Sequence, residues 1–109
     1  MQKIHNKLVR NKIPQAIKEN QQIPIVRKLD DNDFVNELLR KLEEEIQEVI
    51  GARNDKEELT KEIGDVYEVI DAIIDLYKLD KNLILELQKK KKQERGGFEE
   101  KIYLESVEE

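Results

Sequence analysis

The chain has 109 residues, 38% hydrophobic and 41% charged, so its apolar material must lie in stripes on amphipathic elements rather than in long runs. A net charge of −5 argues against a general nucleic-acid-binding surface, and the lack of cysteine excludes disulfides and thiolate metal sites. No apolar run nears the roughly 18 residues of a membrane span and no signal-peptide pattern opens the chain, so a cytoplasmic protein with neither membrane nor nucleic-acid partner is expected.

The length fits one domain over residues 1–109, or one subunit whose core is shared between copies. His5 is the only histidine, Ser106 the only serine and Thr60 the only threonine. A Ser–His–Asp or Cys–His arrangement is barely constructible from that inventory, so carboxylates and a metal must carry any catalysis.

In chain order, Lys7-Leu8-Val9-Arg10-Asn11-Lys12-Ile13-Pro14 comes first. Pro14 suits the first turn of a helix, and residues 15–20 supply about one and a half turns. The cations Lys7, Arg10 and Lys12 also fit a solvated arm. Ile23-Pro24-Ile25-Val26-Arg27-Lys28-Leu29, β-branched with a proline at its start, reads as an extended segment or short edge strand. Asp30, Asp31 and Asn32 are N-cap candidates for a long helix over about residues 33–50. Its stripe is Phe34, Val35, Leu38, Leu39, Leu42, Ile46, Val49 and Ile50. At roughly 100° per residue, Glu45 lies on the flank of this stripe, Glu48 further round, and Glu44 well away.

The polar turn Gly51-Ala52-Arg53-Asn54-Asp55 leads to a second long helix over about residues 56–77, striped by Leu59, Ile63, Val66, Val69, Ile70, Ile73 and Tyr77. Glu62 falls roughly 40° from the centre of that stripe, among residues that should be buried, with Asp65 on its margin. A buried carboxylate needs a cation or must take up a proton. Gly64 stands between the two acids, where a small residue would admit another backbone or a ligand. A third helix is predicted over about residues 80–93, burying Leu83, Ile84, Leu87 and, at its margin, Leu85. Lys89 to Lys92 read as its solvated, dipole-favoured end, and Gly96-Gly97 stops it. Residues 98–104 alternate enough for a short strand, and residues 106–109 form an acidic tail.

The predicted fold is therefore mainly all-α: an antiparallel helical bundle with short extended segments near the termini and a core completed by oligomerisation, as a homodimer or homotetramer. The two acidic pairs, Glu45 and Glu48 on one helix (with Glu44 beside them) and Glu62 and Asp65 on the next, can converge because residues three apart share a helix face. Four carboxylates converge only around a cation, which points to a divalent-metal site between the two helices; the alternative is a solvated helix face.

Glu44-Glu45-x-x-Glu48 followed by Glu62-x-x-Asp65 resembles the EExxE…ExxD signature of the all-α nucleotide pyrophosphohydrolases, which include MazG, dimeric dUTP pyrophosphatases and phosphoribosyl-ATP pyrophosphohydrolases. The Lys7 to Pro14 start is similar to the KLVRDKIP opening of a MazG-like, phosphoribosyl-ATP-pyrophosphohydrolase-like branch. Arg95-Gly96-Gly97-Phe98 followed by Ile102-x-Leu104 resembles the end of that branch. Paired acids arise by chance in any charged helix; the weight lies in both pairs together with the two terminal motifs. Asn11 stands where the branch carries Asp, which leaves that position a capping or turn role.

The resemblance implies Mg²⁺-dependent hydrolysis of a nucleoside triphosphate or related nucleotide to the monophosphate and pyrophosphate, with Mn²⁺ as a substitute ion. By carry-over, Glu45, Glu48, Glu62 and Asp65 would hold the metal, and Glu44 with Glu45 would take the catalytic acid roles, orienting water or a further ion. Hard carboxylate oxygens suit Mg²⁺, which can polarise the α-phosphate and activate water. Lys7, Arg10, Lys12 and Arg95 would bind the substrate phosphates; the alternative for these four is ion pairs that pin the termini to the bundle. Two other readings stand beside this one. One is a non-catalytic helical oligomerisation module, and the other is the phosphoribosyl-ATP pyrophosphohydrolase of histidine biosynthesis.

Overall fold

Each long helix of the chain begins at an aspartate that caps it. In the computed structural model, which describes residues 1–109, the helices are α1 (Ile13–Glu19), α2 (Asp31–Gly51), α3 (Lys56–Leu76) and α4 (Lys81–Arg95). The Asp30 carboxylate accepts from the Asp33 N–H at 2.9 Å. Asp55 accepts from the N–H groups of Glu57 and Glu58 at 3.1 and 3.2 Å, and Asp80 from that of Leu83 at 3.2 Å. Each cap satisfies donors that the first helical turn leaves without a partner. Pro14 lies in the first turn of α1, where its missing N–H costs nothing, and α1 begins two residues before Gln15 as a result. Gly96 ends α4 at φ 85° and ψ 174°, a conformation open essentially to glycine alone.

The fold is all-α, and no strand forms. Residues 23–29 and 98–104, both read as capable of a short strand, are irregular in the structure. An isolated strand needs a partner edge for its ladder, every regular element here is a helix, and the two segments do not pair with each other.

The chain divides into two units, Met1–Lys78 and Leu79–Glu109. The first is built on α2 and α3, which pack against one another across the four-residue turn Ala52 to Asp55, so that α3 runs back along α2. Leu38, Val69 and Ile74 are its buried apolar side chains, and Phe34, Leu42, Val49, Leu59, Val66, Ile73 and Leu76 are half-buried around them. The second unit holds α4, whose Leu83, Leu85 and Leu87 are exposed, together with the irregular C-terminal residues. In its lysine run, Lys90 faces Glu94 at 3.9 Å and Lys92 faces Glu99 at 3.9 Å. No helix is long and apolar enough to cross a membrane.

Both long helices carry an apolar arc wider than their mutual contact covers. On α2, Leu39, Ile46 and Ile50 fall within roughly 40° of one another around the axis and are all exposed. On α3, Ile63, Tyr67, Ile70 and Tyr77 form a similar exposed band. A Cβ placed on Gly64 meets nothing within 4 Å, so the close approach that this glycine permits is not made by any part of this chain.

Candidate metal centre

The seam between α2 and α3 is not wholly apolar. Glu45 is the only buried charged residue of the chain, and it lies one helical step from the face that carries Leu38 and Leu42. Glu62 and Asp65, one turn apart on α3, are half-buried opposite it. One carboxylate oxygen from each of the three lies within 4.8 Å of the others.

Two of these acids have cationic neighbours. Lys41 Nζ is 3.6 Å from Glu45 Oε1 and 3.8 Å from Glu44 Oε1, the one-turn geometry of helix ion pairs. Arg10 Nη2 donates to Asp65 Oδ1 at 2.8 Å, tying the N-terminal arm to α3. Glu62 has no such partner. Partial burial raises its pKa above the usual glutamate value, and the negative charges of Asp65, Glu48, Glu45 and Glu58 push it further the same way. The centre therefore carries one half-buried carboxyl that its surroundings disfavour as an anion.

Glu48 does not join the three. It is exposed and sits one turn further along α2, where with Glu62, Glu58 and Asp55 it lines a shallow acidic recess of about 360 Å³ at the helix turn. It stays near enough to Glu62 to raise that group's pKa. Glu44 is exposed and reaches the centre only through Lys41.

Beside the acids lies a cleft of about 730 Å³, within the size range of small-molecule sites. Its apolar walls come from Leu8, Val9, Ile13, Phe34, Leu38, Val69, Ala72 and Leu76. Its charged lining is mixed: the acids Glu45, Asp65, Glu68 and Asp75 stand there with the cations Lys7, Arg10 and Lys41. Of the four cations proposed from sequence, the structure thus brings Lys7 and Arg10 to the cleft. Lys12 instead occupies the position before α1, without a side-chain capping bond, and is absent from the lining, and Arg95 is the last residue of α4 in the other unit. Lys41 was missed as a site residue, although its position three and four residues before Glu44 and Glu45 is a readable signal. Phe34, Leu38 and Val69 were read as core alone; they are also cleft wall.

The donor set suits a hard divalent cation in kind: carboxylate oxygens only, one of them on a group held above its ordinary pKa by neighbouring negative charge. A double positive charge between the three would relieve the repulsion that raises the Glu62 pKa. No protein-family model, curated protein or solved structure matches the chain.

Proposed function

We propose that the chain is a Mg²⁺-dependent nucleotide pyrophosphohydrolase that cuts a nucleoside triphosphate to the monophosphate and pyrophosphate. The observation that carries this reading is the meeting of Glu45, Glu62 and Asp65, contributed by two helices, two of which, Glu45 and Asp65, also stand in the lining of a largely apolar cleft. The sequence resemblance to the MazG-like nucleotide pyrophosphohydrolases supports it independently of the geometry.

In this reading Glu45, Glu62 and Asp65 hold the cation, Mg²⁺ or in its place Mn²⁺. Glu48 serves the same charge cluster from one turn away, and Glu44 orients water as an accessory acid. When bound, the ion supplies Lewis-acid polarisation of the phosphate and neutralises the leaving pyrophosphate. Lys41 fixes the Glu45 carboxylate from within the same helix. Lys7 and Arg10 on the arm bind phosphate oxygens, Arg as a bidentate fork and Lys as a point charge. The apolar cleft walls take the base and sugar and keep bulk water from the reacting centre.

The direct test is pyrophosphate release from a panel of ribo-, deoxy- and modified nucleoside triphosphates and phosphoribosyl-ATP with Mg²⁺. Turnover of at least one of them is expected, and its loss on chelation. A preference for phosphoribosyl-ATP would select the histidine-biosynthetic activity.

The chain has no cysteine, and the hydroxyl of Thr60 donates to the Lys56 carbonyl at 2.7 Å rather than facing the acids. With no serine, cysteine or histidine in the lining of the cleft, water attacks the α-phosphorus directly in this reading. The bond from that phosphorus to the bridging oxygen breaks and the bridging oxygen leaves with pyrophosphate. In heavy-oxygen water the label is expected in the nucleoside monophosphate. Label in pyrophosphate instead would place the attack at the β-phosphorus and overturn this step.

The exposed apolar bands on α2 and α3 favour a second reading, a helical module that only assembles with copies of itself. Such a module has no use for carboxylates in its helix seam. It would release no pyrophosphate and gain no stability from Mg²⁺.

A further inference from the structure

We propose that Arg10 is an exchangeable counter-ion: it holds Asp65 while the acidic centre carries no divalent cation, and passes to the nucleotide's phosphates when a cation takes that carboxylate. The inference rests on the nucleotide reading above and adds a coupling between metal and substrate to it.

The geometry sets up a competition. Arg10 Nη2 lies 2.8 Å from a carboxylate whose own ligand atom is within 4.8 Å of those of Glu45 and Glu62. A guanidinium and a divalent cation against one carboxylate repel each other, so loading the centre weakens the Arg10 contact. Arg10 is also the cation that can leave at little cost. Its side chain is 60% exposed and that of Asp65 43% exposed, so their pairing is screened by solvent and weak. It belongs to the irregular segment before α1, and no helix has to break for it to move. Lys41 differs on both counts. It sits inside α2 with its side chain only 22% exposed, and its one-turn spacing from Glu45 is set by the helix.

The cleft also supplies the destination. Lys7, Leu8, Val9 and Asn11 line the same cleft as Arg10, so a guanidinium released from Asp65 remains over the space assigned to the nucleotide. A phosphate oxygen pair there offers it a planar bidentate partner with more charge than the carboxylate it left. Mg²⁺ alone must then displace Arg10 without compensation, whereas Mg²⁺ with nucleotide gives Arg10 a new partner. Each ligand consequently tightens the other by the same factor.

The experiment is calorimetric titration of Mg²⁺ into the full chain, alone and with a triphosphate whose α,β-bridge is an imido group that resists cleavage. Arg10→Gln is expected to bind Mg²⁺ alone roughly two- to fivefold more tightly than wild type, the range that removal of a screened ion pair allows. The imido nucleotide should tighten Mg²⁺ binding in wild type and do so far less in Arg10→Gln. Arg10→Lys keeps the charge that competes for Asp65 but loses the fork, so it should bind Mg²⁺ alone as wild type does and still lose most of the coupling. Hydrogen exchange of residues 1–12 gives a second readout: faster with Mg²⁺ alone, slower again once the nucleotide is added. Mg²⁺ binding equal or weaker in Arg10→Gln, with coupling intact, would overturn the exchange and leave the metal centre standing. Absence of Mg²⁺ binding in wild type and both variants would overturn the pyrophosphohydrolase reading and the exchange together.

Discussion

Glu62→Gln is expected to lower nucleotide hydrolysis roughly a thousandfold or more, the effect of losing several kcal/mol of transition-state charge stabilisation, while raising the melting temperature of the metal-free protein at neutral pH. The two effects have one cause. In the folded, metal-free chain, partial burial and the charges of Asp65, Glu48, Glu45 and Glu58 hold the Glu62 pKa above its unfolded value. Between those two values the folded state binds more proton than the unfolded state, so stability falls as pH rises through that window. The loss is complete above the raised folded pKa and absent below the ordinary glutamate value. Glutamine cannot ionise and removes the fall. The melting advantage of Glu62→Gln should therefore be small at acid pH, grow through the window, and level off above it.

Mg²⁺ inverts the comparison. A cation bound only by the folded chain stabilises wild type by mass action, and the variant, lacking one carboxylate donor, should gain much less. Proton and cation compete for the same carboxyl, so the Mg²⁺ gain in wild type should shrink as pH falls through the window. Melting curves from about pH 4 to about pH 8, with Mg²⁺ and with chelator, read all of this at once. A metal-free Glu62→Gln no more stable than wild type at neutral pH would contradict the charge crowding. A wild type indifferent to Mg²⁺ would contradict the centre.

Much of the scaffold was legible because its causes are local. Asp30, one of three cap candidates in the sequence, begins α2, and the apolar period carried both long helices to within two residues of their observed ends. Glu62 was marked by its place inside an apolar stripe, and that is the acid whose pKa the fold displaces. Glu45 was only weakly marked, because one helix alone cannot show which flank of its stripe the neighbour covers; in the structure it is the buried charge. Glu48 entered the expected ligand set through the resemblance. Three residues on from Glu45 it is roughly 4.5 Å further along the axis, which carries it toward Glu58 and Asp55 at the turn.

The long-range partnerships were not readable. Arg10 and Asp65 are 55 residues apart, and nothing in either local sequence pairs them. Whether Arg10 bound substrate or pinned the arm was open from sequence; the structure has it on Asp65. The strand readings of residues 23–29 and 98–104 rested on propensity, which cannot supply a pairing edge.

Ile70→Glu is expected to abolish self-association and to lower the melting temperature by more than about 10 °C, a loss of about 2 kcal/mol or more in a chain of this size. Leu38, Val69 and Ile74 are a small buried core for a chain of 109 residues. Leu39, Ile46 and Ile50 on α2 and Ile63, Tyr67, Ile70 and Tyr77 on α3 are nevertheless left exposed. A second copy presenting the same pair of helices would cover these bands in a four-helix arrangement with matched apolar surfaces. Covering each such side chain stabilises by roughly 1.5–3 kcal/mol when burial is full, which makes association and folding of the α2–α3 unit parts of one transition. Ile70 lies within roughly 20° of Ile63 around the axis, near the middle of the α3 band. In a two-fold interface a charge placed there enters twice, once from each copy, with no cation in that band to meet it. Sedimentation equilibrium at micromolar concentration should give a dimer or tetramer for wild type and a monomer for Ile70→Glu. Wild type sedimenting as a folded monomer would show that the exposed bands need no second copy, and an Ile70→Glu protein of unchanged mass and melting temperature would place the association elsewhere.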